Sequence, residues 1–246
     1  MNAGEAGLII IGDEILSGKH QDSHMRYVID SLKKISWQLS WVQFLSDDHD
    51  ALVQRFELSL QGNCPVFCFG GIGATPDDCT RQACAQAAGV ELVRHPEAVA
   101  AIEAQFGQAA YPKRILMSEL PAGSRIIPNP VNQVPGFSFG HHHFFPGFPS
   151  MAWPMLAWVL AHEYGAELAP VIEYSVKIIN TPESELIEIM QAVNLHFPTV
   201  KVFSLPHLGG QRYVELGVRS RDIANEAFAE LCQRLDAAAI AWETQV

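Results

Sequence analysis

The sequence predicts an α/β fold: a parallel-sheet domain with helices on both sides, followed by a small α+β unit. Three observations carry this. Short continuous apolar runs alternate with segments of helical period, glycine- and carboxylate-rich loops follow those runs, and the pattern changes near residue 168. Continuous rather than alternating apolar runs mark strands covered on both faces, as parallel sheets require.

Leu8-Ile9-Ile10-Ile11 ends at Gly12 and reads as the first buried strand. Met25, Val28, Ile29 and Leu32 recur at helical spacing, and Asp22 or Ser23 caps that helix. Residues 37–45 form the next strand. Leu52, Val53, Phe56 and Leu60 make an amphipathic helix, and Val66–Phe69 is a further buried strand. This βαβαβ order predicts right-handed crossovers, with ligands gathering at the carboxyl ends of the strands. Three loops lie there: residues 12–24, 46–50 and 70–80. Helices follow at Thr80–Ala88 and from Pro96, a residue that the first turn tolerates. Proline, glycine and asparagine crowd residues 121–149, which are expected to be irregular around one short strand at His142–Phe145. A helix over Ser150–His162 closes the domain despite Pro154.

The first domain is assigned to residues 1–167 and the second to 168–246. In the second, a strand at Tyr174–Ile179 precedes a helix at Glu183–Leu195, strands at Val200–Ser204 and Arg212–Val218, and a helix at Ala224–Ala237. A last strand lies near Ile240–Trp242, giving the β-α-β-β-α order of a ferredoxin-like unit.

Composition narrows the function. With 48% hydrophobic and 17% charged residues the chain of 246 is an ordinary globular protein. A net charge of −11 argues against nucleic-acid polymers and anionic membranes, but permits a small anion held by local dipoles or a metal ion. No secretory signal or membrane-length apolar run is evident, so a cytoplasmic protein is expected. Five cysteines, including Cys64 and Cys68 on one side of a strand, lack a disulfide or zinc pattern and read as reduced packing residues.

The chemistry concentrates in Gly70-Gly71-Ile72-Gly73-Ala74-Thr75-Pro76-Asp77-Asp78-Cys79-Thr80. Glycines between a buried strand and a helix let successive amides face one anion, and the helix N-terminus adds its dipole. The spacing is neither that of a Walker loop nor that of a dinucleotide fingerprint. A carboxylate beside phosphate is repulsive unless it holds a cation or manages a proton. Asp77 and Asp78 are therefore candidates; capping is assigned to Asp77 and the site role to Asp78. Gly12-Asp13-Glu14-Ile15-Leu16-Ser17-Gly18 and Ser46-Asp47-Asp48 offer further carboxylates from separate loops. His141 and His143 share a strand face and are candidates for a transition metal or phosphate; polar positions at a loop edge or subunit interface are preferred. Trp153, Leu156 and Trp158 read as core or interface, and Lys113 and Arg114 as either phosphate neighbours or solvated surface.

The Gly12–Gly18 string resembles the Gly-Asp-Glu-Leu-Leu-Ser-Gly opening of the molybdopterin-binding domain shared by molybdenum-cofactor biosynthesis proteins and CinA proteins. Residues 70–80 resemble that family's Gly-Gly-x-Gly-x-Thr-x-x-Asp-x-Thr loop. Pro128-Asn129-Pro130, Pro135-Gly136-Phe137 and Pro146-Gly147-Phe148-Pro149-Ser150-Met151 resemble later CinA segments in the same order. The resemblance implies a three-layer domain that binds molybdopterin or a nucleotide. Gly70, Gly71, Ile72, Gly73 and Thr75 would take the phosphate, with Gly12, Asp13, Glu14, Asp22 and Ser23 near the ligand. Asp47 and Asp78 would be catalytic and hold a divalent ion such as Mg, Mn or Co. Pyrophosphatase action on ADP-ribose-like nucleotides, or adenylyl transfer to molybdopterin, is the implied chemistry, in a homodimer or homotrimer. A non-catalytic molybdopterin carrier or sensor is the alternative. Ala74 stands where proline is usual and His24 where asparagine is usual, positions that bear on ring specificity. The deamidase domain of longer CinA proteins has no room after the second unit, so deamidation is not expected.

Overall fold

The computed structural model describes residues 4–165, 168–209 and 212–244. Chain contacts separate two compact units, Met1–Leu168 and Ala169–Val246. The boundary expected at 167/168 involves Glu167, which lies outside the described residues.

The first unit runs β1 (Glu5–Ile11), α1 (Asp13–Leu16), α2 (His24–Lys34), β2 (Gln38–Leu45), α3 (His49–Leu60), β3 (Val66–Phe69), α4 (Thr80–Ala88), β4 (Leu92–Arg94) and α5 (Pro96–Phe106). Two 3-10 turns, Gly107–Ala110 and Arg114–Ser118, lead to β5 (Glu119–Pro121), β6 (Arg125–Ile127), β7 (Gly136–Phe139), β8 (His142–Phe145) and α6 (Pro149–Glu163). Six strands form one sheet in the order β2-β1-β3-β8-β7-β6, while β4 and β5 pair separately. The first four strands are parallel, and β7 and β6 extend the sheet antiparallel.

Strand alternation explains the three layers. Leu8 and Ile10 of β1, with Phe67 and Phe69 of β3, meet Val28 and Leu32 of α2 and Met155, Leu156 and Val159 of α6. Ile9, Ile11, Val66 and Cys68 point the other way, against Leu52, Val53 and Phe56 of α3 and Ala83 and Cys84 of α4. Burying each such side chain contributes about 1.5–3 kcal/mol. Pro154 forfeits one main-chain bond of α6 but lies on its exposed side, so the apolar stripe continues past it.

The segment expected to be irregular around one strand also contains β6 and β7. Both are three or four residues long and bounded by Pro, Gly or Asn, so punctuation hides them from a periodicity reading. The sheet is accordingly mixed at this edge rather than parallel throughout.

In the second unit, β9 (Ile172–Ile179), a 3-10 turn at Glu183–Leu186, α7 (Ile187–His196), β10 (Lys201–His207), β11 (Tyr213–Ser220), α8 (Ala224–Ala237) and β12 (Trp242–Thr244) follow in order. All neighbours in the sheet β10-β11-β9-β12 are antiparallel. Each helix thus connects two strands with a third between them, the split βαβ of a ferredoxin-like unit. Val176, Ile178, Leu216 and Val218 pack on Val193 of α7 and Leu231 and Leu235 of α8. Among the described residues no helix is long and apolar enough to cross a membrane.

Candidate ligand site

Loops that follow β1, β2, β3 and β8 line one cavity of about 510 Å³. Residues 11–78 contribute Gly12, Glu14, Asp47, the glycine loop, Asp77 and Asp78. A later stretch contributes apolar side chains, among them Phe106, Met117, Val134, Phe148 and Met151, with the amides of Asn129 and Asn132. A polar, glycine-rich portion and an apolar portion therefore share one space. This suits a ligand that is charged at one end and carries a ring at the other.

Backbone geometry shapes the glycine loop. Gly70 and Gly71 have φ of 106° and 67°, in the region that side chains rarely adopt. A Cβ on Gly71 would lie 2.2 Å from Thr80 Oγ1, and one on Gly73 would lie 2.4 Å from Asp78 Oδ2. Thr80 closes the loop, its N–H donating to Gly71 O at 3.0 Å and its hydroxyl to Gly70 O at 3.1 Å. The Gly70 N–H donates to Phe145 O at 3.0 Å, which ties the loop to the end of β8.

The adjacent aspartates of the second loop, Asp47 and Asp48, are separated by role. Asp48 caps α3, accepting from the Ala51 N–H at 2.8 Å, which leaves Asp47 to the cavity. Asp47 Oδ2 accepts from the Asp13 N–H at 3.0 Å, and Asp13 Oδ1 accepts from the Asp47 N–H at 3.4 Å, so the first two loops hold each other. Burial pushes the Asp47 carboxyl pKa up, and the charges of Asp13, Glu14 and Asp77 act in the same direction against the Asp13 amide. Asp78 Oδ2 accepts from the Thr75 N–H at 2.9 Å and the Thr75 hydroxyl at 2.5 Å.

The capping role expected of Asp77 is not found. Cys79 occupies the N-cap of α4 without a side-chain bond, and Asp77 lines the cavity instead. The chain turns at Thr75–Asp78, closed by Asp78 N–H donating to Thr75 O, and the Gly71 carbonyl already accepts the Thr80 N–H, the first amide of the helix.

Gly12, Glu14, Asp47, Gly70, Gly71, Ile72, Gly73, Thr75 and Asp78 come together around the cavity. Asp13 joins only through its bonds to Asp47. Asp22 and Ser23 do not line it: both border a separate depression with Arg26, Tyr27, Asp30 and Trp153. The Asp22 carboxylate is occupied by the His24 and Met25 N–H groups at 2.9 and 3.0 Å. Lys113 and Arg114 are exposed and outside the lining, with Arg114 donating to Ala109 O. Sequence reasoning missed Met117, Asn132 and Phe148 as site residues; the recurring Pro-Asn and Pro-Gly punctuation around two of them was the available signal.

The loop-edge reading of the histidine run holds for His141, in the turn before β8 and so sharing no strand face with His143, and fails for His142 and His143. His142 and His143 are buried in the middle of the sheet, and β8 alternation turns them to opposite layers. His142 Nε2 pairs with Ser59 Oγ at 2.7 Å, while His143 bonds Ser138 Oγ at 2.8 Å and Tyr164 OH at 2.6 Å. His141 reaches the Ser59 carbonyl at 3.1 Å. Burial pulls the pKa of both His142 and His143 down to about 3, so they are neutral packing groups. Among the described residues no three or more His, Cys, Asp or Glu side chains are arranged to hold a metal. Trp153 stacks on Tyr27 and Trp158 on His162, outside the cavity. All five cysteines are unpaired.

Comparison with known proteins follows the same division of the chain. Residues 7–166 match the family model described as a probable molybdopterin binding domain. The CinA crystal structure from Thermoplasma acidophilum is 30% identical, with a TM-score of 0.60 over 65% of this chain and 97% of that one. A CinA-like protein of Citrifermentans bemidjiense is 31% identical over 75% of this chain and 46% of its own length. A protein of Pyrobaculum arsenaticum is 25% identical over 84% of this chain and 81% of its own. The chain spans about half the length of the CinA-like relatives it matches.

Proposed function

Because the chain belongs to the family of probable molybdopterin-binding domains, we propose that it binds a phosphorylated pterin or adenine nucleotide and cleaves or forms a phosphoanhydride. One observation carries this reading: the glycine loop, Asp47 and Asp78 line the same cavity as an apolar portion able to receive a ring.

In this reading the amides of residues 71–74, between the Gly70 and Thr75 amides that are bonded within the loop, stabilise charge on the phosphoryl oxygens, as preorganised donors do in phosphoryl transfer. Asp47, on the cavity wall, positions the attacking water and accepts its proton. The water oxygen bonds to phosphorus while the bridging P–O bond breaks, and the loop amides receive the developing charge. Met117, Phe148 and Met151 hold the ring and exclude bulk water. The all-oxygen donor set of Asp47 and Asp78 fits a hard divalent ion, with ligand oxygens completing its shell. An Mg, Mn or Co ion held there would supply charge neutralisation at the transferred phosphorus. A cytoplasmic homodimer or homotrimer is part of the proposal and is read by fractionation and light scattering.

A second reading, a carrier or sensor that binds molybdopterin without turnover, draws on the engagement of Asp78 Oδ2 by Thr75. Incubation with ADP-ribose, FAD, ATP and molybdopterin, with and without each ion, followed by mass spectrometry, separates the two. Metal-dependent products that vanish in Asp78→Asn support the enzyme. Tight molybdopterin binding with no product, unchanged in Asp78→Asn, would overturn it in favour of the carrier.

A further inference from the structure

Arg81, the second residue of α4, is buried to 2% exposure directly behind the glycine loop. Its guanidinium donates to three main-chain carbonyls: Nη2 to Gly73 O at 2.6 Å, and Nη1 to Leu116 O at 2.5 Å and Glu119 O at 3.0 Å. Nε is buried with no partner, and among the described residues no carboxylate forms an ion pair with this side chain. Burial lowers its pKa, while the charges of Asp78 and Glu119 oppose that effect.

This is an expensive way to fill space. A buried cation without a paired anion is less favourable than an apolar side chain of the same volume, so packing alone does not account for it. What the guanidinium does supply is a rigid planar fork able to hold carbonyls from separate segments at once. A lysine ammonium has neither that plane nor that reach.

Two consequences follow for the cavity. The peptide joining Gly73 to Ala74 is planar and trans, so a Gly73 carbonyl held toward Arg81 directs the Ala74 N–H to the opposite side of the loop. Gly73 itself lines the cavity, whereas Arg81 does not. The second consequence concerns the segment Arg114–Glu119, which Arg81 joins to the loop through the carbonyls of Leu116 and Glu119. Between them lies Met117, a residue of the apolar portion.

We infer that Arg81 is a positioning residue that sets the glycine loop for an anion and ties to it the wall bearing Met117. The inference rests on the reading above that this loop receives phosphate. Arg81 does not line the cavity; it acts through Gly73, Leu116 and Glu119.

The test uses the full chain and the variants Arg81→Met and Arg81→Lys, each checked for folding by circular dichroism. Hydrogen exchange without ligand is followed for peptides covering residues 70–80 and 111–121. Calorimetry then measures ADP-ribose and inorganic pyrophosphate, with adenosine as a phosphate-free probe. In Arg81→Met, exchange is expected to rise in both segments and phosphate-ligand affinity to fall about 10- to 100-fold, the worth of a charge-assisted hydrogen bond. Adenosine binding should change far less. Arg81→Lys keeps the charge but not the fork, and is expected to leave exchange elevated in at least one segment. Should Arg81→Met not fold, the lysine variant carries both measurements.

Unchanged exchange and unchanged pyrophosphate affinity in a folded variant would overturn the role of Arg81 while leaving the phosphate reading intact. A wild-type protein that binds adenosine as well as ADP-ribose, and no pyrophosphate, would overturn the phosphate reading and the anion role of Arg81 with it.

Discussion

Acid should weaken the first unit through two residues in the middle of its sheet. His142 and His143 are fully buried, and their pKa values are held at about 3 in the folded chain against 6.5 for a free histidine. Between those values the unfolded chain binds the extra protons, so stability falls as pH falls from 6.5 toward 3. Each histidine contributes a slope of about 1.4 kcal/mol per pH unit in that window. Going from pH 6.5 to pH 5 therefore removes roughly 1.6 kcal/mol per residue, about 3 kcal/mol together, from a total that is usually ~5–15 kcal/mol. Urea titrations at several pH values give the slope. Tryptophan fluorescence reports the first unit through Trp37, Trp41, Trp153 and Trp158, while only Trp242 lies in the second. The double variant His142→Leu, His143→Phe is the control. It should lose stability at pH 7, because Ser59, Ser138 and Tyr164 lose partners, yet show a much flatter acid slope. Equal slopes in the two proteins would refute the argument.

Asp47→Asn is expected to raise the melting temperature of the ligand-free protein at neutral pH while abolishing turnover. Removing a carboxylate whose pKa burial and neighbouring charges have raised relieves repulsion, and the amide oxygen can still accept from Asp13; calorimetric scanning reads the shift. That gain should disappear as pH is lowered and the wild-type carboxyl protonates. Gly71→Ala should cost about 1–3 kcal/mol of stability and most ligand affinity, since the new Cβ meets Thr80 Oγ1 and the backbone is left-handed there; urea midpoints and calorimetry check both. Phe148→Ala should leave stability within about 0.5 kcal/mol because the ring is 67% exposed, yet weaken binding of ring-bearing ligands more than that of pyrophosphate.

Much of this was legible in the residues. Leu8–Ile11 and Val66–Phe69 are apolar throughout because both faces of those strands are covered, and that regularity exposed the parallel half of the sheet. Gly70–Thr80 announced a backbone cradle because glycine adopts positive φ without the steric cost that a side chain brings, as Gly70 and Gly71 do. The ferredoxin-like unit followed from element order alone. Other features were hidden for physical reasons. β6 and β7 are too short to show a period, and their pairing depends on partners elsewhere in the chain. His142 and His143 looked polar because a sequence does not display Ser59, Ser138 and Tyr164, the groups that make burial tolerable. Whether Asp47 or Asp48 faced the cavity, and whether Asp77 capped a helix, was decided by one-residue differences in turn geometry.

The lining of the cavity also bears on how such a domain can diversify. The glycine loop and its carboxylates come from residues 11–78, while the apolar portion and the two asparagines come from residues 106–151. Pairing of β3 with β8 brings the two stretches together, through main-chain bonds that are indifferent to side-chain identity. Substitutions in the later stretch can thus reshape the apolar portion without disturbing the glycine loop and its carboxylates. On the proposed function, a graft of residues 129–151 from a relative would change ligand preference while leaving the glycine loop and its carboxylates in place.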